Sequence, residues 1–508
     1  MKKYAKALCV LIAMLLVFAA VTPAFAAEKD SITITNPYDG VDWTGFGQYK
    51  TALHTHTNAS DGDPTMKESL ERHAETGFDI VASTDHGTVN YSWEYPNEDK
   101  FIHGVLKTVG KSEGELEYPG KEGTFKNGIS YTLSADKNGD DFLTLNNGKR
   151  IMRVPYGIEQ NAVSVNAHVN SWFADYHNNF ITTYEDAVKG VEKTGGVCVI
   201  NHPGEYSKAR YEIRTESAYN EGTFEYKYFI NKIASLLSKY NTCIGIDINS
   251  KGDDRTRFDR KLWDILLQRF ADNGENVFAI CSSDAHQLDK IDTGFVYAIM
   301  ENFDSASLKK SLQSGHFFGA SHCIGNPDEL GQIAEALKEF YGETELYSGV
   351  KSVYDEMLKI AGEIEDGTRD ADSRLGVTYK VLDDDGYCTA ETQPVIESIS
   401  VNDSENTIRI ESTDALIVRW ISNGKLIASQ KADSAEIDLD DYSGKLGNYI
   451  RAEVFGEGGI VYTQAFLLNA EINSGKSSPV DAGFFDLGII DFLLGVFMNW
   501  REILSRMI

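Results

Sequence analysis

The 508 residues carry 48 Lys and Arg against 77 Asp and Glu, for a formal net charge of −29. That length suggests two or three domains, and so acidic a surface disfavours extended contact with nucleic-acid backbones. Small anionic substrates stay open, because bound cations are often the largest local charges in a site.

At the N-terminus, Met1 to Lys6 is basic and Ala7 to Val21 is apolar. Ala24-Phe25-Ala26 then supplies the small residues of a cleavage site before Ala27. This order predicts a signal peptide over residues 1–26 and a secreted, extracytoplasmic protein. The apolar stretch is short for a membrane span, and Cys9 lies too early for a lipid-attachment cysteine. Past it stand Cys198, Cys243, Cys281, Cys323 and Cys388. Their odd number argues against a complete disulfide framework. Cys198, Cys243 and Cys281 lie in apolar runs and read as small buried hydrophobes.

From about residue 48 to 320 the pattern alternates strand and helix. Short Val- and Ile-rich runs at 51–57, 78–85, 154–160, 166–173, 196–201, 243–249 and 277–282 read as buried parallel strands. Helical patterns fall at 65–76, 184–193, 226–239, 256–271 and 305–314, and Thr65 with Glu68 reads as a capping box. Such alternation argues for a parallel sheet or barrel, with function on the loops that leave the strand C-termini. Residues 90–153 interrupt it, reading as hairpins in an insertion placed over the site or merely on the surface. Within it, Asp136 to Asp141 resembles a calcium loop but lacks Gly at the sixth position, and reads as a turn.

Residues 326–374 read as helical, with Leu330, Ile333, Ala336, Leu337 and Phe340 as a core stripe. Residues 390–470 change to closely spaced short strands, with Ser422-Asn423-Gly424-Lys425 as a hairpin turn. They predict a small, Ig-like β-sandwich without a cluster of His and carboxylates. Residues 474–508 form a linker and an apolar tail interrupted by Asp486 and Asp491. A membrane surface, another subunit and the chain's own sandwich are equal readings for what the tail contacts.

The chemistry-bearing residues gather at or just past the strand ends: His54-Thr55-His56, Asp61, His86, Glu159, His168, His202 and Asp284-Ala285-His286. Six imidazoles and three carboxylates without sulfur suit Zn, Mn or Fe better than Cu(I) or an iron–sulfur cluster. A lone His-x-His is weak. On a strand, however, both rings share a face, and Asp61 follows in a Gly-containing turn. Asp85 points away from its neighbour His86 and reads as a supporting group. No Gly-rich phosphate loop and no G-x-S-x-G elbow appears. His73, His103, His177, His316 and His322 have no partner at ligand spacing and read as surface or satisfied histidines.

Together these segments resemble the polymerase and histidinol phosphatase (PHP) family over about residues 48–320. The matching stretches are Leu53-His54-Thr55-His56 with Ser60-Asp61-Gly62, then Ser83-Thr84-Asp85-His86, and Gly157-Ile158-Glu159. They continue with Ala167-His168-Val169, Asn201-His202-Pro203 and Ser283-Asp284-Ala285-His286. The resemblance implies an α/β fold. It would comprise a distorted seven-stranded β/α barrel within residues 27–325, then the helical segment and the β-sandwich. It further implies two or three divalent ions (Mn, Fe or Zn). One ion would sit at His54, His56, Glu159 and Asp284. A second would sit at Glu159, His168 and His202, with Glu159 bridging, and a third at Asp61, His86 and His286. Asp247 stands on a strand where relatives often carry Glu, as either a pocket-shaping or a merely buried group.

The resulting expectation is a secreted metal-dependent phosphoesterase acting on small phosphate esters through a hydroxide that bridges two ions. Three alternatives remain at this level. They are a metallohydrolase for another ester or an amide bond, a nuclease, and a metal-binding protein without turnover.

Overall fold

A computed structural model describes residues 32–96, 115–162, 167–178, 183–370 and 374–469. The expected signal peptide, His103 and the apolar tail lie outside the described residues.

The central strands form where apolar, β-branched runs occur, but most are shorter than the runs. They are β1 (Gly47–Ala52), β2 (Ile80–Val81), β3 (Arg150–Arg153), β4 (Ile158–Ala162), β5 (Ala167–Trp172), β6 (Val197–Ile200), β7 (Cys243–Asn249), β8 (Phe278–Cys281), β9 (Gly294–Met300) and β10 (Phe317–Ser321). Helices α1 (Met66–Glu75), α2 (Tyr184–Thr194), α3 (Phe224–Lys239), α4 (Asp259–Phe270) and α5 (Ser305–Ser314) lie between them. The capping box at α1 is present. Glu68 N donates to Thr65 Oγ1 at 3.2 Å and Thr65 N donates to Glu68 Oε2 at 2.9 Å. This satisfies two of the four N–H groups a helix start leaves orphaned.

The architecture is α/β, but among the described residues no sheet closes into the expected seven-stranded barrel. Strands β4 to β8 form a five-stranded sheet in sequence order, while β10, β9, β1, β2 and β3 run side by side in a fourteen-stranded sheet. Nor is the pairing uniformly parallel. β1–β2, β2–β3, β6–β7 and β7–β8 are parallel. β4–β5, β5–β6, β9–β1 and β9–β10 are antiparallel. Burial on both faces makes a strand apolar whatever its direction, so the runs could not disclose the antiparallel pairs.

The two sheets nonetheless share one core. Leu53, Met152, Val154, Trp172, Val199, Ile280 and Val296 belong to a single buried cluster drawn from both. Trp172 Nε1 donates to Leu53 O at 3.2 Å, and Asn170 Nδ2 reaches the same carbonyl at 3.4 Å. The end of β1 is thereby tied to β5 across the sheet boundary, just before His54.

The described part of the interrupting segment extends this sheet. Strands Glu122–Thr124, Ser130–Ala135 and Asp141–Leu145 pair antiparallel in turn, and the last pairs with β3. The calcium-like stretch is the hairpin turn there, with Asp136 N donating to Asp140 O at 2.8 Å and Gly139 at φ 89°.

Helices α6 (Pro327–Tyr341) and α7 (Glu345–Glu365) follow. Leu330, Ile333, Ala336 and Leu337 of α6 are buried, and Phe340 packs partly buried against the same core. C-terminal strands Ile417–Ser422, Lys425–Lys431, Tyr449–Gly456 and Gly459–Tyr462 join the large sheet, because Gly459–Tyr462 pairs antiparallel with β10. Strands Val395–Asn402, Thr407–Thr413 and Glu436–Asp438 form a separate three-stranded sheet. One core cluster holds Ile399, Ile408 and Ile437 of that sheet with Trp420, Val454 and Phe318 of the large one. The C-terminal strands therefore continue the central sheet instead of hanging from it.

Candidate metal centre

Four of the six ligand-bearing segments leave a strand's C-terminal end, whereas Glu159 and His168 are the second residues of β4 and β5, and backbone hydrogen bonds stitch neighbouring segments together. His56 N donates to Ala285 O at 2.9 Å, Thr84 N to Thr55 O at 2.9 Å, and Glu159 N to Thr84 O at 3.2 Å. Asn201 N donates to His168 O at 3.1 Å, and Asp63 N to His286 O at 2.8 Å. Most of these links continue the pairing up to about four residues past the strands, and together they bring six separate segments to one place.

All nine side chains singled out from sequence converge there. His54 Nε2 and His56 Nε2 lie 3.2 and 3.1 Å from Asp284 Oδ1, and 3.4 and 3.2 Å from Glu159 Oε2. His202 Nε2 lies 3.3 Å from Glu159 Oε1 and 3.4 Å from Asp284 Oδ2. His168 Nδ1 is 2.9 Å from Glu159 Oε1, and His86 Nδ1 is 3.0 Å from Glu159 Oε2. On the outer side, Asp61 Oδ1 lies 3.4 Å from both His86 Nε2 and His286 Nε2, and 3.7 Å from His56 Nδ1.

Three groups of potential ligand atoms result: His56, Asp61, His86 and His286; His54, Glu159, His202 and Asp284; and His86, Glu159 and His168. This partition differs in detail from the one the family resemblance implies. His202 joins His54 and Asp284, His56 also faces the Asp61 group, and His86 stands between Asp61 and Glu159. Glu159 is central in both, with one oxygen toward His168 and His202 and the other toward His54, His56 and His86.

The donor set fits divalent cations. Glu159 Oε2, Asp284 Oδ1 and Asp61 Oδ1 are buried without a hydrogen-bond partner, although imidazole nitrogens stand close by. His54 Nε2 and His56 Nε2 face each other at 3.1 Å, where at most one can be a donor. Lone pairs from nitrogen and oxygen thus converge on shared points. That is costly for buried polar groups unless a cation or proton joins them.

For Glu159, Asp284 and His86, electrostatics favour the forms that bind cations. Burial alone would raise the Glu159 carboxyl, but His168, His54 and His86 outweigh it and hold its pKa well below the usual value. Asp284 is likewise held low against burial by His54, Lys251 and His286. Burial brings His86 down to about 4, leaving a neutral imidazole at pH 7.

Groups around the cluster orient it, as outer hydrogen bonds do in metal sites. Asn201 Nδ2 donates to Glu159 Oε1 at 2.7 Å, and Tyr206 OH lies 2.8 Å from His168 Nδ1. Asp85 accepts from Thr57 N at 2.7 Å, Thr57 Oγ1 at 2.8 Å and Ser60 Oγ at 2.8 Å, shaping the turn between His56 and Asp61. His202 and Asp284 adopt φ of 25° and 46°, in a region L residues rarely occupy. Asp247 is buried and accepts from Ser282 Oγ at 2.5 Å. Burial pushes its carboxyl well above the usual value, and it joins none of the three ligand groups.

Sequence reasoning missed Lys251, Glu205, Tyr206 and Arg255. Lys251 Nζ is 2.5 Å from Asp284 Oδ2 and 3.1 Å from Glu205 Oε2, and Arg255 pairs with Glu205. Lys251 follows the C-terminal end of β7, as His54, His86, His202 and Asp284 follow the ends of β1, β2, β6 and β8. Glu205 and Tyr206 follow His202 by three and four residues on the short helix Pro203–Tyr206. Among the other histidines, His73 and His322 are buried and hydrogen-bonded, to Ser69 O at 2.7 Å and Gly458 O at 2.6 Å.

No family model matches the chain, and no curated protein matches it. Several solved structures overlap it. One is a two-domain protein from Bacteroides vulgatus described as containing a predicted PHP-like metal-dependent phosphoesterase. It is 13% identical with a TM-score of 0.34, over 86% of this chain and 90% of that one. Another is the lesion-specific endonuclease EndoQ of Pyrococcus furiosus, 11% identical with a TM-score of 0.27, over 53% and 56%. A third is an amidohydrolase from Chromobacterium violaceum, 13% identical with a TM-score of 0.26, over 47% and 87%. Overlaps this loose carry no argument about activity, which rests on the side-chain geometry.

Proposed function

We propose that this chain is an exported metal-dependent hydrolase that cleaves small organic phosphate esters. The observation that carries the reading is the convergence of six histidines and three carboxylates, with buried carboxylate oxygens lacking hydrogen-bond partners. His54, Glu159, His202 and Asp284 would hold one ion, His56, Asp61, His86 and His286 another, and Glu159 with His168 and His86 a third. Zn, Mn or Fe suits these donors. Bound there, such ions supply Lewis acidity toward a phosphoryl oxygen and make water a nucleophile near neutral pH.

The chain's own groups do the remaining work. Glu159 divides its two oxygens between neighbouring histidines, with its rotamer held by Asn201. The Tyr206 hydroxyl fixes the His168 ring. Burial first, and then Glu205 and Glu159 nearby, push that hydroxyl well above its usual pKa, so it keeps its proton. Lys251 and Arg255 set two fixed cations beside the acidic groups. Lys251 is paired with Glu205 and Asp284, and Arg255 with Glu205, so they offset these carboxylates and leave the charge of bound ions to meet an anionic phosphoryl oxygen. That placement favours phosphate esters over neutral amides in a chain of formal charge −29.

The test is elemental analysis of protein purified without chelator, with hydrolysis of an aryl phosphate monoester and diester. Two or three equivalents of Mn, Fe or Zn with metal-dependent turnover support the reading. Full phosphoesterase rates in folded His202→Ala and Asp284→Ala would overturn it, as would turnover of lactones or amides alone. Export rests on the order of residues 1–26. A mature N-terminus at Ala27 supports it, and an intact Met1 in protein recovered from its native host counts against it.

A further inference from the structure

All five described cysteines are buried free thiols, and two that belong to none of the ligand groups meet each other. Cys323 Sγ and Cys388 Sγ are 3.8 Å apart across a sequence separation of 65 residues. Cys323 begins the short strand Cys323–Ile324, which pairs antiparallel with Tyr379–Lys380. Its carbonyl accepts from Asn249 Nδ2 at 2.9 Å, and its own N–H donates to Ser321 Oγ at 3.0 Å. Cys323 is therefore rigidly placed. Cys388 lies in the irregular stretch between Tyr379–Lys380 and the strand Val395–Asn402. That stretch is held by a turn in which Asp383 N donates to Tyr387 O at 2.8 Å.

We propose that Cys323 and Cys388 form a disulfide in an oxidising compartment. The bond would pin the 381–394 connection to the base of the turn that presents Lys251. The remaining gap is small. A disulfide needs about 2.05 Å between sulfurs, so closure asks for a shift of about 2 Å, and only the Cys388 side has to move. Residues 382 and 384–386 of that side are largely solvent-exposed, and Gly386 has φ 83°.

The neighbourhood explains why the link matters. A Cβ built on Gly252 would lie 3.8 Å from Cys323 Sγ, so the thiol packs under the Lys251-Gly252-Asp253 turn. Two residues past Cys323, Gly325 N donates to Asp253 Oδ2 at 2.6 Å. At the front of the same turn, Lys251 Nζ reaches Asp284. A bond at Cys323 ties the connection that leads into the C-terminal strands to the backbone behind the metal centre.

The step balances by thiol–disulfide exchange with a low-molecular-weight disulfide such as oxidised glutathione. The Cys388 thiolate attacks one sulfur of the oxidant and releases the first thiol. The Cys323 thiolate then attacks Cys388 Sγ and releases the second. Two protons and two electrons pass from the protein to the oxidant, which leaves as two thiols. The other cysteines serve as internal controls. Cys281 lies in β8, while Cys198 and Cys243, whose thiols also touch, sit opposite each other in the parallel β6–β7 pair, each within a strand buried along its whole length and so shielded from the oxidant.

The full chain is equilibrated with oxidised glutathione, unfolded in the presence of an alkylating agent and digested. A loss of about 2 Da and one cross-linked peptide pair joining residues 323 and 388 are expected. Cys198, Cys243 and Cys281 should be alkylated. Because a bridge closing so long a loop restricts the unfolded chain, the oxidised form should melt about 2–6 °C higher. A thiol reductant should reverse the gain, and Cys388→Ser should abolish it. Cys388→Ser lies on the irregular side and keeps the test valid if Cys323→Ser does not fold. Full alkylation of both cysteines after oxidation would overturn the proposal, as would a cross-link elsewhere or a cross-link without any rise in Tm.

Discussion

Lys251 Nζ lies 2.5 Å from Asp284 Oδ2, and both side chains are largely buried. In the metal-free protein this ammonium, together with the histidines around Asp284, offsets the charge of a fully buried carboxylate. Removing one partner of a buried pair strands the other, at a cost of about 3–5 kcal/mol. Lys251→Gln should therefore destabilise metal-free protein by that order. The metal-loaded protein should lose much less, because the cations then neutralise Asp284. Denaturant titrations with and without Zn measure the difference, and equal losses in both would refute the idea that the lysine and the ions share this carboxylate.

Proton release on metal binding follows from His56. Burial opposes its protonation, but Asp284 and Glu159 outweigh burial and hold its pKa well above the usual imidazole value. Metal-free protein thus carries a proton there at neutral pH, and a cation must displace it. Zn binding at pH 7.5 should release about one proton from this ring, and the affinity should rise with pH by up to about tenfold per unit. By the same sign, metal-free protein loses this ring's stabilising contribution as pH rises through the raised folded value. Calorimetry in buffers of different ionisation enthalpy reads the proton count. A binding enthalpy that does not depend on the buffer would contradict the prediction.

Tyr206→Phe removes the hydroxyl that lies against His168 while keeping the ring. Loss of an outer hydrogen bond to a metal-binding histidine weakens metal binding by about 10–100-fold. Competition with a chromophoric chelator should show that loss with an unchanged fold by circular dichroism. An unaltered affinity would mean that His168 needs no such support.

Gly62 is constrained by contact, not by its dihedral angles. A Cβ placed there would lie 2.7 Å from the His56 carbonyl carbon and 2.8 Å from its oxygen. Gly62→Ala must push the His56 segment and the Asp61 turn apart, at about 1–3 kcal/mol. Weaker metal retention together with a lower Tm is expected. A variant as stable and as well loaded as the parent would show that the turn yields freely.

His73 sets an acid limit outside the site. Burial holds its pKa down to about 4, against an ordinary 6.5, so the unfolded chain takes up the proton first as pH falls. Its contribution is complete above about pH 6.5 and is lost toward pH 4, by about 3 kcal/mol in all. Urea midpoints of metal-loaded protein between pH 7 and 4 should fall less steeply in His73→Gln than in the parent. Parallel slopes would remove His73 as the cause.

The sequence alone singled out the nine side chains that converge in the fold. Histidines and acids recurring beside apolar runs are a pattern that core packing does not need, and a set without sulfur narrows the metals by softness alone. Periodicity and capping likewise placed β7 and α5 to the residue, and α1 with its Thr65–Glu68 box. Tertiary structure decided what is not encoded locally. Strand direction depends on partners far away in sequence, so the antiparallel β4–β5–β6 run and the two unclosed sheets were not readable from apolar runs. The union of the C-terminal strands with β10 is likewise a pairing across more than a hundred residues. The sharing of His86 and His56 between ligand groups, the placement of Lys251 and Tyr206, and the meeting of Cys323 with Cys388 all arise from that packing. A side chain's partners are set by where the chain returns, not by its neighbours in sequence.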